Sequence, residues 1–145
     1  MEKTPFTIEK IYNAPAKNVW EAITDKDKMK VWYFDLAEFK AEVGFEFRFK
    51  GGPPEKQYLH ICEVTEVIKE KKLAHSWRYD GEPGISYVTW ELFDQGDSTL
   101  VRLTHANLES FNSGNPDLVP ENFAAGWTDI VGRSLREYLE GKQQQ

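Results

Sequence analysis

The chain has 145 residues, a size typical of one domain, and 18 basic against 24 acidic side chains give it a net charge of −6. This balance excludes the basic surface that nucleic acids and anionic membranes require, so we expect neither partner. One cysteine, Cys62, excludes an internal disulfide and favours a reducing compartment. Because the first residues contain no apolar run typical of a signal peptide or a membrane span, we expect a cytoplasmic, single-domain protein over residues 1–145, monomeric or weakly dimeric.

The chain opens with a predicted strand and two short helices. Phe6–Tyr12 alternates between apolar and polar residues as a half-buried strand does. Pro15 suits a first helical turn, and apolar residues then recur at helical spacing as far as Ile23. Thr24 or Asp25 can cap a second helix. That helix contains three large apolar residues, Met29, Trp32 and Tyr33. We expect the two helices to close one end of a sheet.

About six strands are predicted next. Their segments are Glu38–Val43, Phe45–Lys50, Tyr58–Ile68, Leu73–Tyr79, Val88–Leu92 and Leu100–His105. Tyr58–Ile68 is apolar on both parities, which predicts a bulge or bend within it. Turn residues at Gly51–Pro54 and Asp94–Asp97 keep the connections short, so the strands form an antiparallel meander. The polar stretch Glu109–Pro120 is expected to be a plain connection, with a lid as the alternative. Helices segregated from such strands define an α+β fold.

One long helix is predicted over Asn122–Gly141, with a length of about 30 Å. At about 100° per residue, its apolar side carries Phe123, Ala124, Trp127, Ile130, Val131, Ser134, Leu135 and Tyr138. A face this wide needs a partner, and the concave side of the sheet is the large surface available. The polar atoms of Trp127, Ser134 and Tyr138 on that hidden face must meet protein partners, water or a ligand.

Several strand side chains share the parity of the core and face the same space. They are Phe45, Phe47, Phe49, His75, Trp77, Tyr79, Trp90 and His105. In a meander His75 and His105 lie two strands apart, roughly 10 Å, a span that suits a cavity better than a direct contact. The alternative for each histidine is a hydrogen bond to a backbone carbonyl in an ordinary core. We expect a hollow between helix and sheet with flat apolar walls.

Stretches along nearly the whole chain resemble the START-like, or SRPBCC, superfamily. They are Ala14–Asp25, Lys30–Trp32, Lys72–Arg78, Val88–Leu92, Leu100–His105, Gly126–Leu135 and Tyr138–Leu139. The closest resemblance is to the branch similar to the C-terminal domain of the activator of heat shock protein 90 ATPase. It implies a helix-grip (birch pollen allergen-like) fold, with a curved antiparallel sheet of six or seven strands around the long helix. It also implies a pocket between them, with Trp127, Val131, Ser134 and Tyr138 as candidate wall residues.

Three functions follow from this resemblance and the aromatic interior. The first is binding of a small, mostly hydrophobic ligand, since superfamily members bind lipids, sterols, polyketides and other apolar molecules. The second is a co-chaperone-like interaction module whose partner is a chaperone. The third is a polyketide cyclase or aromatase-like enzyme, in which His75, His105 or Tyr138 would move a proton. We favour the first and assign no catalytic residue.

Metal and cofactor chemistry find little support. His60 and Cys62 share a strand parity, yet no second pair completes a zinc set. Cys62 stands in an apolar strand, where thiols are usually inert. We therefore expect no metal and no cofactor.

Overall fold

The C-terminal helix lies against one face of an antiparallel sheet. The structure, a computed structural model, describes residues 5–33, 36, 38–51, 57–111, 114, 118 and 120–140. Within these residues the strands are β1 (Phe6–Tyr12), β2 (Glu46–Gly51), β3 (Tyr58–Ile68), β4 (Lys72–Tyr79), β5 (Ser86–Asp94) and β6 (Thr99–Ala106). Their order is β1-β6-β5-β4-β3-β2, and every neighbouring pair is antiparallel. The predicted α+β meander is confirmed.

Two short helices, α1 (Ala16–Thr24) and α2 (Lys26–Trp32), connect β1 to β2. Asp25 separates them, and its carboxylate accepts hydrogen bonds from the backbone N–H groups of Asp27 and Lys28 at 2.9 and 3.3 Å. This is the predicted cap of the second helix. The indole N–H of Trp32 donates to the carbonyl of Ala22 at 2.9 Å and so holds α2 against α1.

The expected irregularity in β3 is present. Val64 pairs with His75 and Glu66 with Ala74, so the register shifts by one residue between the two pairs. A shift of this kind lets residues of both parities point toward the core. It explains why the β3 sequence does not alternate.

The predicted strand Glu38–Val43 is wrong. Its backbone bonds locally, from the N–H of Glu42 to the carbonyl of Lys40 at 2.9 Å, and no sheet pairing includes this segment. The chain joins β3 only at Gly44, whose φ of +94° favours glycine and whose N–H donates to Val64 at 2.8 Å. Phe39 in this segment packs on the rings of Phe45 and Phe47, whereas Val43 is 68% exposed, so neither apolar residue reflects backbone pairing.

Two other predicted segments lie partly outside the described residues. They are the turn Gly51–Pro54, of which Gly51 is described as the end of β2, and the loop Glu109–Pro120. None of the helices in the described part of the chain has the length and apolar character needed to cross a membrane.

The C-terminal helix runs from Pro120 to Glu140 and contains a π-helical turn. It is α-helical over Pro120–Asp129 (α3), π-helical over Ile130–Ser134, and α-helical again over Leu135–Glu140 (α4). Its buried side chains are Phe123, Trp127, Val131, Leu135 and Leu139. These residues are each four positions apart, a spacing that drifts by about 40° per step around an α-helix. The wider turn reduces that drift and keeps the five side chains on the sheet.

The π turn also corrects the predicted helix face. A uniform 100° per residue placed Ser134 and Tyr138 near its middle. In the structure Leu135 and Leu139 occupy the buried positions, 0% and 8% exposed, whereas Ser134 and Tyr138 are half-buried beside them. The sequence gives one weak signal for this change, Gly132 inside the turn, since glycine weakens a regular helix.

The end of β1 holds the π turn in place. The hydroxyl of Tyr12, which is fully buried, donates to the carbonyl of Val131 at 2.6 Å. Arg136 lies over the Tyr12 ring, 5.3 Å from its centroid, and donates to the carbonyl of Ile11 at 3.1 Å. The side chain of Tyr12 therefore satisfies a backbone carbonyl in the irregular turn.

Replacing Tyr12 by Phe tests this contact. The variant leaves the Val131 carbonyl without its buried donor, so we expect the free energy of unfolding to fall by about 1–3 kcal/mol. Urea denaturation measures the change. Tyr87→Phe is the control, because Tyr87 is 43% exposed on β5. Loss of its hydroxyl should lower the free energy of unfolding by less than about 0.5 kcal/mol. Equal losses in the two variants would contradict the role given to Tyr12.

Candidate ligand-binding site

The space between the C-terminal helix and the sheet is filled by a continuous cluster of aromatic rings. Most of the predicted site residues are buried in it: Phe47, Phe49, His75, Trp77, Tyr79, Trp90, His105, Trp127 and Val131. Three others, Phe45, Ser134 and Tyr138, are half-buried at its margin. The fold therefore brings the predicted set into one region. Of the three helix residues predicted to bring polar atoms into it, Trp127 is buried there, and Ser134 and Tyr138 are not.

The two central histidines lie in one cross-strand row. His75 on β4 pairs with Val88 on β5, and Val88 pairs with His105 on β6. Val88 is fully buried between them. The predicted two-strand separation is confirmed, and the two rings have different surroundings.

His105 has a hydrogen-bond partner on each ring nitrogen. The indole N–H of Trp127 lies 2.9 Å from its Nδ1, and because an indole can only donate, Nδ1 must accept. Nε2 therefore carries the proton and donates to Ser86 Oγ at 2.7 Å, while the Ser86 hydroxyl donates to the carbonyl of Trp77 at 2.9 Å. Burial lowers the pKa of His105 to about 3, with His75 as a smaller cause. A neutral, fully bonded His105 orients Trp127 and leaves no nitrogen for a guest or a proton transfer.

His75 bonds through one nitrogen only. Its Nδ1 lies 2.9 Å from the carbonyl of Ser76, so Nδ1 carries the proton and Nε2 is an acceptor. Burial lowers the pKa of His75 to about 4, so the ring is neutral at pH 7. Among the described residues, no hydrogen-bonding group is placed on Nε2. The alternative stated for each histidine, a hydrogen bond to a backbone carbonyl, is thus confirmed for Nδ1 of His75.

A cavity of about 10 Å³ lies beside His75. Its walls are Ile23, Met29, Trp32, Tyr33, Phe39, Phe47, Leu73, His75 and Trp90. This volume is about what one water molecule needs, whereas ligand pockets span roughly 300–1,000 Å³. The structure therefore does not show the open hollow that the sequence predicts at this place.

The rings that occupy the expected hollow come from the end of α2 and from the residue that follows it. Trp32 contacts Trp90 edge-on at 6.0 Å, and Tyr33 stacks on Trp127 at 6.2 Å between ring centroids. Ser134, predicted as a pocket residue, donates its hydroxyl proton to the carbonyl of Trp32. That carbonyl ends α2, where helical carbonyls lack partners within the helix. The first helices thus do more than close one end of the sheet.

Phe39 lies at the edge of the cavity that is nearest to a surface hollow. Tyr33 and Phe39 are the partly exposed wall residues, and the others are buried. Phe39 also borders a surface hollow of about 360 Å³, whose other walls are Thr24, Asp25, Lys26, Glu38 and Lys40. On its inner side Phe39 contacts the ring of Phe47 at 5.0 Å between centroids. Phe39 is therefore shared by the linings of the two spaces.

The family model for activator of Hsp90 ATPase homolog 1-like proteins matches residues 13–140. The chain belongs to this family. The resemblance found in the sequence is thereby confirmed, together with the START-like fold that it implies. Among proteins of curated function, none matches the chain.

Solved structures similar to this family member share its fold. Mll3558 from Rhizobium loti has a TM-score of 0.80 and 19% identity, covering 94% of this chain and 96% of that one. BH1534 from Bacillus halodurans has a TM-score of 0.72 and 25% identity, covering 95% and 98%. DynU16, a protein in the dynemicin biosynthetic locus, has a TM-score of 0.75 and 24% identity over 97% of this chain, which spans 49% of DynU16. These likenesses confirm the helix-grip fold.

The cysteine of this family member is shielded from chemistry. Cys62 is fully buried, and burial raises the pKa of its thiol, so the reactive thiolate is disfavoured as predicted. Across the described residues, no three His, Cys, Asp or Glu side chains are grouped so that they could hold a metal ion.

The histidines give a prediction for pH dependence. The pKa falls to about 4 for His60 and His75 and to about 3 for His105, mainly through burial, against roughly 6.5 in the unfolded chain. Between these values the unfolded chain binds protons that the folded protein does not. The free energy of unfolding therefore keeps its full value above about pH 6.5. As the pH falls below that value, each histidine lowers the free energy of unfolding by up to about 1.4 kcal/mol per pH unit.

Nuclear magnetic resonance of the ring protons checks this directly. We expect no histidine of the folded protein to titrate between about pH 8 and pH 5, and all three to titrate near pH 6.5 in urea. A folded-state histidine titrating above about pH 6 would contradict the burial described here.

Proposed function

We propose that the protein binds a small, mostly apolar molecule between the C-terminal helix and the sheet, at the cavity beside Phe47 and His75. The observation that carries the proposal is the position of Phe39. This partly exposed ring lines both an apolar cavity and a surface hollow of about 360 Å³. The apolar ligands implied by the START-like resemblance agree with this placement. A cytoplasmic location and a single domain belong to the same proposal, supported by the lone buried cysteine and the chain length.

The energetics allow such binding although the cavity is small. Exposing one buried aromatic side chain costs about 1.5–3 kcal/mol. A small ligand gains roughly 0.3–1.5 kcal/mol for each non-hydrogen atom. A two-ring aromatic molecule can therefore offset the displacement of Phe39. Phe39 is already partly exposed, so its displacement costs less than that of a buried ring and lowers the affinity by roughly 10-fold relative to an open pocket.

The two spaces suit the two ends of an amphipathic guest. The described cavity walls are aliphatic and aromatic and carry no charged side chain, with His75 and Tyr33 as the titratable residues. The surface hollow carries Asp25, Lys26, Glu38 and Lys40, two acidic and two basic side chains. An apolar body would lie inside, and a polar end could stay hydrated among these charges.

Acid–base catalysis is not part of the proposal. Both nitrogens of His105 are bonded within the protein. His75 is neutral, and the described cavity walls include no second titratable side chain besides Tyr33. Burial raises the pKa of Tyr33, which disfavours its ionised form as a base. We therefore propose binding without turnover.

A chaperone is the alternative partner, as the family description suggests. Val31 on α2 and Val43 are large apolar side chains that are 69% and 68% exposed, the kind of surface that partner proteins cover. An Hsp90 ATPase assay separates the two roles. Stimulation by this protein that is lost in Val31→Glu but kept in Phe39→Ala would favour the chaperone.

Naphthalene titrated into isotope-labelled protein tests the proposed ligand site. We expect shifts and intermolecular contacts at the cavity residues Phe47, His75 and Trp90. Phe39→Ala removes the ring that must be displaced, so it should bind roughly 10-fold more tightly and associate faster. Phe93→Ala is the matched control, because Phe93 is 39% exposed on β5 and points away from the buried Leu92 face.

Two outcomes would contradict the proposal. One is an absence of contacts between naphthalene and the cavity residues in both the wild type and Phe39→Ala. The other is an equal change of affinity in Phe39→Ala and Phe93→Ala, because the ring at position 39 would then have no special relation to the site.

A further inference from the structure

His75 brings a ring nitrogen with unused hydrogen-bonding capacity to the lining of the cavity. His75 is 3% exposed and lines the cavity, and its Nδ1 proton is given to the Ser76 carbonyl. Nε2 keeps a lone pair, and the described residues place no donor on it. Buried polar groups in proteins are generally paired, so this nitrogen calls for a partner of its own.

The other histidine of the row shows that the fold can satisfy such a ring completely. His105 receives the Trp127 N–H on one nitrogen and donates to Ser86 from the other. Around His75 the neighbours are the Phe47 ring at 5.1 Å and the cross-strand residues Val64 and Val88. No hydroxyl, amide or carboxylate among these neighbours competes for the nitrogen. The two rings therefore differ at Nε2, which has a partner in His105 and has none among the described residues in His75.

We propose that the guest of this site carries an O–H or N–H donor on a flat apolar body, and that this donor bonds Nε2 of His75. The inference rests on the proposed function and specifies the chemistry of the ligand. A guest that carries only acceptors would place its own lone pair against the lone pair of Nε2 and could form no hydrogen bond there. A carboxylate would meet no cationic side chain among the described cavity walls, and an ammonium would meet no carboxylate there.

The low pKa of His75 is consistent with this assignment. Burial keeps the imidazole neutral down to about pH 4, so Nε2 stays an acceptor throughout the physiological range. The bond from Nδ1 to the Ser76 backbone fixes the tautomer and the direction of the ring. The acceptor is therefore oriented before the guest arrives.

Three probes of similar shape test the inference: naphthalene, 2-naphthol and 2-methoxynaphthalene. Only 2-naphthol can donate a hydrogen bond. We expect the wild-type protein to bind 2-naphthol roughly 10-fold or more tightly than either of the others, although its hydroxyl is better solvated by water. In His75→Phe, which keeps a ring but has no acceptor, the preference should fall to roughly 2-fold or less.

A matched control and a second readout keep the test decisive. His60→Phe replaces a buried histidine that does not line the cavity, and it should keep the wild-type preference. If His75→Phe does not fold, the Nε2 nitrogen resonance of His75 in the wild type replaces it. That resonance should move on addition of 2-naphthol and stay in place with naphthalene.

The outcomes distinguish failure of the donor inference from failure of the proposed ligand binding. If naphthalene enters the cavity and 2-naphthol binds no more tightly, the donor inference is overturned and the proposed function stands. If the preference for 2-naphthol survives in His75→Phe, the donor bonds elsewhere and the inference is likewise overturned. If none of the probes contacts the cavity, the proposed function fails and the inference with it.

Discussion

The contact between the C-terminal helix and the sheet is the constraint on which the rest of the structure depends. Five side chains, from Phe123 to Leu139 at intervals of four, must all face the strands. A regular helix cannot keep them aligned over that length, so a π turn restores the alignment, and Tyr12 bonds the Val131 carbonyl within it. The same turn brings Ser134 to the Trp32 carbonyl. Helix geometry thereby positions α2, whose rings fill the interior.

The interior has one part in which the polar side chains are fully hydrogen-bonded and another in which a histidine nitrogen has no described partner. Trp127, His105 and Ser86 form a closed chain of hydrogen bonds that leaves no group for a guest. Near α2 the packing is looser, with a cavity of about 10 Å³, a histidine nitrogen to spare and a partly exposed Phe39. The hydrogen-bonded chain and the proposed binding site therefore lie in neighbouring regions of one core. Phe39 lines the second region and takes no part in the hydrogen bonds of the first.

Local patterns were enough to predict most of the fold. The alternation of Phe6–Tyr12, the cap at Asp25 and the mixed parity of β3 each report a nearby constraint, and the structure confirms all three. The errors concern contacts between distant segments. Phe39 in the segment Glu38–Val43 packs on the ring of Phe47 without any strand pairing, and a helical wheel cannot reveal a π turn that is held by Tyr12.

The candidate site follows the same division. Strand parity correctly placed Phe47, His75 and Trp90 together, because side chains alternate across a sheet. Parity carries no information about what lies over the sheet. It therefore missed Trp32 and Tyr33 as the rings that fill the expected hollow, and it could not tell the bonded His105 from the half-bonded His75.

Anomalous diffraction from crystals of the protein soaked with 6-bromo-2-naphthol tests the central claim most directly, because bromine marks the position of the guest without reference to any assumed pose. The account predicts a bromine peak between the C-terminal helix and the sheet, with the hydroxyl of the probe on Nε2 of His75 and the Phe39 ring turned away from Phe47. Bromine found only on the outer face of the sheet, with Phe39 still seated on Phe47, would contradict it.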